Sequence, residues 1–254
     1  MKVYAYGQKS PDKKISQDCI MVGNSILSEG SIEWTPDTKS VLAIADGVGG
    51  NAAGDIASFT VMQGLRRAEL YSGCIESYLR KSITNINQQL LSMSAENTQY
   101  NGMATTLSGV YMDTEKALLF HVGNTRVYTV NGGAYLRQLT TDHTNVQELV
   151  ELGRLTKKEA FEDPRKNVIN ACMGGGNPEL ISRLVVEDIT SRISGKDLII
   201  TCDGIHDSVT SDDMEEILFG ADCPIGERLR LLAKKARDNG SVDDISIIYF
   251  KREE

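Results

Sequence analysis

Val41-Leu42-Ala43-Ile44-Ala45-Asp46-Gly47 and Leu198-Ile199-Ile200-Thr201-Cys202-Asp203-Gly204 share one device, an apolar run that ends abruptly in Asp-Gly. Short and almost uninterrupted apolar runs of this kind read as strands buried on both faces. Each run therefore delivers a carboxylate to the edge of a hydrophobic core. Asp243-Asp244 mirrors the device immediately ahead of Ile245-Ser246-Ile247-Ile248-Tyr249-Phe250, a further strand-like run. If these strands are neighbours, anionic carboxylates crowd one end of a sheet, and their repulsion and desolvation require an offsetting positive charge. A hard divalent cation bound through oxygen is the simplest candidate.

The chain has 254 residues, 41% of them hydrophobic and 24% charged, enough to bury a substantial core. Its net charge of −8 argues against nucleic acid or an anionic membrane as the main partner, while leaving room for an anionic substrate drawn to local cations. The N-terminal residues lack the apolar stretch of a secretory signal, and no run is long enough to span a bilayer. A cytoplasmic protein is expected. Cys19, Cys74, Cys172, Cys202 and Cys223 show no C-x-x-C spacing and read as reduced thiols rather than zinc ligands. Cys202, inside a buried strand, is expected to pack as a small hydrophobe.

The patterning predicts strands at Cys19–Val22, Val41–Asp46, Thr105–Tyr111, Ala117–Val122, Leu184–Asp188 and Leu198–Cys202, with a last one ending near Phe250. Residues 24–39, with the lone Trp34, read as a loop or ragged hairpin. Helices are predicted from about Ala52 to Leu70, from Ile75 to Met93, from Thr210 or Ser211, and along a last segment whose stripe is Ile225, Leu229, Leu232 and Ala236. Asn131-Gly132-Gly133 between Thr125–Val130 and Ala134–Arg137 marks a tight hairpin. Between residues 145 and 166 the chain turns short, charged and helical, and Thr156 with Glu159 forms a capping box there. Such an excursion is a candidate flap. Local hairpins, with long helices paired between groups of strands, favour an α+β fold of antiparallel sheets and external helices. No linker divides residues 1–254, which read as one domain with a flap-like insertion at about 145–166.

Eight short motifs follow one another along the chain: Gln17-Asp18, Asp46-Gly47-Val48-Gly49-Gly50, Gly102-Met103-Ala104-Thr105-Thr106-Leu107 and His121-Val122-Gly123-Asn124-Thr125-Arg126. Leu139-Thr140-Thr141-Asp142-His143-Thr144, Asn167-Val168-Ile169, Asp203-Gly204-Ile205-His206-Asp207 and Gly240-Ser241-Val242-Asp243-Asp244-Ile245-Ser246 complete the series. In these motifs and their order the chain resembles the metal-dependent PPM/PP2C-type serine/threonine protein phosphatases, bacterial members in particular. The resemblance implies a β-sandwich of two antiparallel sheets flanked by helix pairs, with a centre for two Mn²⁺ or Mg²⁺ ions at one end. Asp46 would bridge the ions, the Gly47 carbonyl would ligate one, Asp203 and Asp243 would complete the set, and Asp18 would act through metal-bound water. A water or hydroxide bridging the two cations would then attack phosphoserine or phosphothreonine in protein substrates, without a protein nucleophile. Gly49 and Gly50 would let the backbone turn closely beside the metals. The partners implied are phosphoproteins, the substrates of a Ser/Thr kinase, and the protein is expected to be a monomer.

Three positions depart from the family pattern. Its phosphate-binding arginine is here Lys13, which offers a point charge without the bidentate fork. Asn124 stands where an aspartate helps bind a third ion with Asp203 and Asp207, so a third ion is expected to bind less tightly here. Val48 stands where some eukaryotic relatives carry a histidine proposed as general acid. His143 and His206 are candidates by proximity, although structural hydrogen bonding is the favoured role for each. The competing reading is a catalytically weak relative that binds phosphoproteins or a regulatory partner. A nucleotide-binding module fits poorly, because neither G-x-G-x-x-G nor G-x-x-x-x-G-K-S/T is present.

Overall fold

The buried runs become the centres of two facing sheets in the computed structural model, which describes residues 1–48, 53–68 and 75–252. One sheet runs, in spatial order, Tyr135–Gln138, Arg126–Asn131, Leu198–Thr201, Ile245–Lys251, Lys2–Gln8 and Gly30–Trp34. The other runs Val185–Asp188, Ala117–Val122, Leu107–Met112, Ser40–Asp46, Asp18–Val22 and Ser25–Leu27. A small ladder joins Met173–Gly174 to Ala104–Thr105. The pairings within both large sheets are antiparallel.

The period of two along each strand decides which core each side chain joins. Ile20, Val22, Leu42 and Ile44 point between the sheets and meet Leu198, Ile200, Ile248 and Phe250. The alternate residues Cys19, Met21, Val41, Ala43 and Ala45 point outward. There they meet Ala57, Val61, Met62 and Leu65 of helix Gly54–Arg67 and Leu79, Ile83 and Leu90 of helix Ile75–Glu96. On the other sheet, Ile199, Ile247 and Tyr249 pack under Leu229, Leu232, Ala233 and Ala236 of helix Ile225–Asp238. Both faces of the central strands are covered, so their apolar runs need no alternation with polar residues. The result is the α-β-β-α sandwich expected from the sequence.

Most boundaries fall near their expected places, and the differences have physical causes. Residues 24–39 contain two strands in different sheets. Ser25–Leu27 extends one and Gly30–Trp34 the other. Their signal is weak because only Ile26, Leu27, Ile32 and Trp34 are partly buried against the cores, among exposed polar neighbours. The run from Thr105 to Tyr111 is broken at Thr106, which still stands opposite Asp46 and donates its amide to the Asp46 carbonyl at 2.8 Å, while the Asp46 amide turns to Thr106 Oγ1 at 3.2 Å instead of completing the ladder. The first long helix ends at Arg67, and residues 69–74, with the expected end near Leu70, lie outside the described residues. The hairpin forms as expected, with Gly132 and Gly133 at φ 57° and 78°.

One close approach ties the two acidic motifs together. The short helix Asp203–His206 backs onto the chain just ahead of strand Ile245–Lys251, and a Cβ on Gly204 would run into the Asp244 carbonyl oxygen. Gly204→Ala is therefore expected to lower the free energy of urea unfolding by about 1–3 kcal/mol, the usual cost of overpacking. An unfolding curve unchanged from the parent protein would show that the two segments are free to separate.

Candidate metal centre

Asp18 and Asp46 are register partners on adjacent antiparallel strands, which sets like charges opposite each other at the end of a buried ladder. Asp203 arrives from the facing sheet, opening its short helix directly after strand Leu198–Thr201. Asp243 comes from the loop before Ile245–Lys251. The backbone around these carboxylates is held tightly. Thr105 Oγ1 and the Thr106 amide both donate to the Asp46 carbonyl, at 2.9 and 2.8 Å, and the Gly47 amide donates to Gln17 O at 3.0 Å. Ser246 Oγ donates to Asp18 Oδ2 at 2.7 Å, linking the two sheets beside the carboxylates.

Burial and mutual repulsion make this cluster costly without a cation. Burial first, then the charge of Asp244, pushes Asp18 up to about 8. Burial, followed by the charges of Asp203 and Asp18, raises Asp46 well above the ordinary carboxylate range. Asp203 is raised by burial and by Asp243, an effect opposed by its contacts with Asp46 and with Asn124, whose Nδ2 donates to Oδ2 at 3.0 Å. Asp203 Oδ1 is buried with no hydrogen-bond donor, and so is Asp207 Oδ2. Burial and the charge of Asp203 push Asp207 up to about 7. Crowded carboxylates with orphaned oxygens fit a hard, oxygen-seeking cation.

Lys13 is the cation set directly on these acids. Its Nζ lies 2.7 Å from Asp243 Oδ1 and 3.0 Å from Asp244 Oδ2. Partial burial opposes the ammonium charge, but hydrogen bonds to the two aspartates prevail and raise its pKa. Asp244, whose sequence signal was only its place beside Asp243, proves to be a buried anchor. It accepts the Ser10 and Gln17 amides at 2.7 and 2.8 Å and so fixes the loop that carries Lys13. Cys202 lies in the inner core as expected, yet its sulfur, Asp18 and Asp46 offer ligand atoms within 4.8 Å of one another. That proximity could not be read from the chain, since it depends on strands from opposite sheets.

The three histidines are internal and hydrogen-bonded. His121 bridges Ser108 Oγ at 2.7 Å and Thr141 O at 2.8 Å, His143 Nδ1 accepts the Gly123 amide at 3.1 Å, and His206 Nδ1 meets Thr201 Oγ1 at 2.9 Å. Burial, then the neighbouring His121, pushes His143 down to about 3. Burial also holds His206 well below its ordinary value. Val48 is described, its amide bound to Ala104 O at 3.0 Å, whereas Gly49 and Gly50 lie outside the described residues.

Helices Asn145–Glu151 and Lys157–Glu162 form the excursion, the second opened by the expected Thr156 and Glu159 capping box. Its base is pinched by Asn145 N to Val168 O at 3.2 Å and Asn170 N to His143 O at 2.9 Å. A cavity of about 400 Å³ lies between the excursion and the centre, lined by Asn124, Arg126, Gln147, Phe161, Lys166 and Asp207 among others. Lys166 Nζ donates to the Asp207 carbonyl at 2.7 Å, joining excursion to centre. A larger cavity of about 670 Å³ opens near Ser40, at the other end of the strand that finishes in Asp46, and holds none of the expected site residues.

Comparison with known proteins agrees with this architecture. A family model described as protein phosphatase 2C matches residues 27–229. The serine/threonine phosphatase stp of Listeria monocytogenes is 31% identical over 230 residues, covering 88% of this chain and 89% of that protein. The crystal structure of serine/threonine phosphatase Stp1 from Staphylococcus aureus superposes with a TM-score of 0.84 at 26% identity, covering 99% of this chain and 95% of that one. The catalytic domain of the phosphatase PstP, solved in complex with two manganese ions, shares the fold at a TM-score of 0.74 and 24% identity, covering 98% of each chain. With its sandwich, its carboxylate cluster and a family match over most of its length, the chain belongs to the protein phosphatase 2C family.

Proposed function

We infer that this protein hydrolyses phosphoserine and phosphothreonine esters in protein substrates, with divalent cations held by Asp46, Asp203 and Asp243, the Gly47 carbonyl and, through water, Asp18. The observation that carries the reading is the convergence of these carboxylates from both sheets, with one oxygen of Asp203 buried and unpartnered. Cations held there supply Lewis acidity to water and to the phosphoryl oxygens. The names of the relatives and the two manganese ions of the PstP structure support a pair of such ions. Both manganese and magnesium accept oxygen ligands of this kind.

The chain's own residues account for the rest. Asp46 and Asp203 anchor the centre from opposite sheets, and Asp243, the most open of the ligands, completes it at the mouth. Lys13 offers its ammonium to the incoming phosphate from beside Asp243. Cys202 is buried and held by hydrogen bonds, and the histidines are neutral and engaged, which supports a reaction without a protein nucleophile or histidine acid. The reading takes residues 1–254 as one catalytic unit with 145–166 as its flap, and the cavity beneath as the place for the peptide around the phosphoresidue. A Ser/Thr kinase as the source of substrates, a monomeric state and a cytoplasmic site of action complete the proposal. The names of the relatives as serine/threonine phosphatases support phosphoprotein substrates, and among the described residues no helix is long and apolar enough to cross a membrane.

Asp46→Asn and Asp243→Asn are each expected to lower Mn²⁺-dependent phosphate release from a phosphothreonine peptide by at least about a hundredfold, with the fold intact by circular dichroism. Full activity in EDTA would overturn the metal mechanism. Lys13→Ala is expected to raise KM for the phosphopeptide about tenfold, the scale of one lost charged hydrogen bond, and an unchanged KM would remove Lys13 from substrate binding. Asn124→Asp replaces the donor to Asp203 with a second charge, so calorimetric titration with Mn²⁺ should show a weak binding event tightened. Identical isotherms would count against the third-ion argument.

A further inference from the structure

Hard cations account for the carboxylates but not for the sulfur set among them. Cys202 is fully buried, and its Sγ lies with the carboxylate oxygens of Asp18 and Asp46 in a group whose ligand atoms are all within 4.8 Å of one another. The sulfur is held in place, accepting the Ser246 amide at 3.1 Å and donating to the Asp244 carbonyl at 3.3 Å. Its chain neighbour Asp203 touches Asp46 and leaves Oδ1 buried without a donor, an independent sign that this pocket of the centre is short of positive charge.

Thiolate and carboxylate donors together suit borderline and soft divalent ions, whereas manganese and magnesium favour oxygen alone. We propose that Asp18, Asp46 and Cys202 form a mixed sulfur and oxygen site for a thiophilic divalent cation of the zinc or cadmium class, overlapping the hard-ion centre. As the sulfur–metal bond forms, the thiol proton passes to the buffer. A thiophilic ion seated there engages Asp46 and Asp18, so it competes with Mn²⁺ for the same carboxylates. The sulfur thus sets which ions block the centre. This follows from the geometry and is tested without any phosphatase assay, so its failure leaves the proposed activity untouched.

The test is a titration of the full chain, stripped of metal by chelator and dialysis, with cadmium chloride, following the thiolate-to-cadmium charge-transfer absorbance in the ultraviolet. Cys202→Ser keeps a donor and an acceptor for the Asp244 carbonyl and the Ser246 amide, and Cys202→Ala serves as a second variant should the first fail to fold. The expected result is loss of the Cys202 absorbance in either variant and Cd²⁺ affinity weakened at least about tenfold, the low end of what losing even an outer partner of a metal ligand costs. Asp46→Asn should weaken Cd²⁺ binding as well, and added Mn²⁺ should suppress the band in the parent protein. Equal absorbance and affinity in Cys202→Ser, as for cadmium bound at the partly exposed Cys223, would overturn the proposal. So would a band indifferent to Asp46→Asn.

Discussion

The apposition of Asp18 and Asp46 across one buried ladder is the constraint that the rest of this structure serves. Like charges directly opposite on adjacent strands repel, and burial deprives them of the water that would screen them. An arrangement of this kind persists only if its surroundings leave the strands no alternative register. Alternation provides that restraint. A slip of one residue would exchange Ile20, Val22, Leu42 and Ile44 with Cys19, Met21, Ala43 and Ala45, and so misfit both the inner core and the helix-covered face. Apolar packing thus holds in place a polar arrangement that is unfavourable until a cation arrives.

The same logic explains the local irregularities near the centre. Thr106 interrupts the ladder by taking the Asp46 amide on its side-chain hydroxyl, and Gly204 gives up a side chain so that the Asp203 helix can lie against Asp244. Asp244 spends its charge on two amides and on Lys13, fixing a loop instead of offering a ligand. Neighbouring acids in one motif therefore do different work. Asp243 stays half open at the mouth while Asp244 is buried within the wall. The excursion at 145–166 is joined to the centre through Lys166 and the Asp207 carbonyl.

In the proposed reading, metal-dependent hydrolysis and metal discrimination meet at the same residues. Carboxylate oxygens from both sheets favour hard ions, and the sulfur of Cys202 lies just behind them, in the core that supports Asp46 and Asp18. A core position chosen for packing can thereby bear on which ions the centre tolerates, because at this depth packing and coordination share the same few ångströms.

Much of the fold was legible in the chain. Continuous apolar runs identified the strands covered on both faces, Asn131-Gly132-Gly133 identified the hairpin, and Thr156 with Glu159 the start of a flap helix. The strands at Ser25–Leu27 and Gly30–Trp34 were obscure because edge strands bury too little to leave a pattern. Within the site, Asp46, Asp203 and Asp243 announced themselves as charges at the ends of apolar runs, an anomaly visible in one dimension. The sequence by itself determined that such carboxylates exist and that those carried into the core, Asp46 and Asp203, call for an offsetting positive charge, since periodicity dictates the burial of the runs that end in them. Only the tertiary structure decided that Asp244 is an anchor, that Lys13 sits on Asp243, and that Cys202 faces Asp18 and Asp46. Those contacts join segments far apart in the chain, and they exist only once two sheets have closed on a common core.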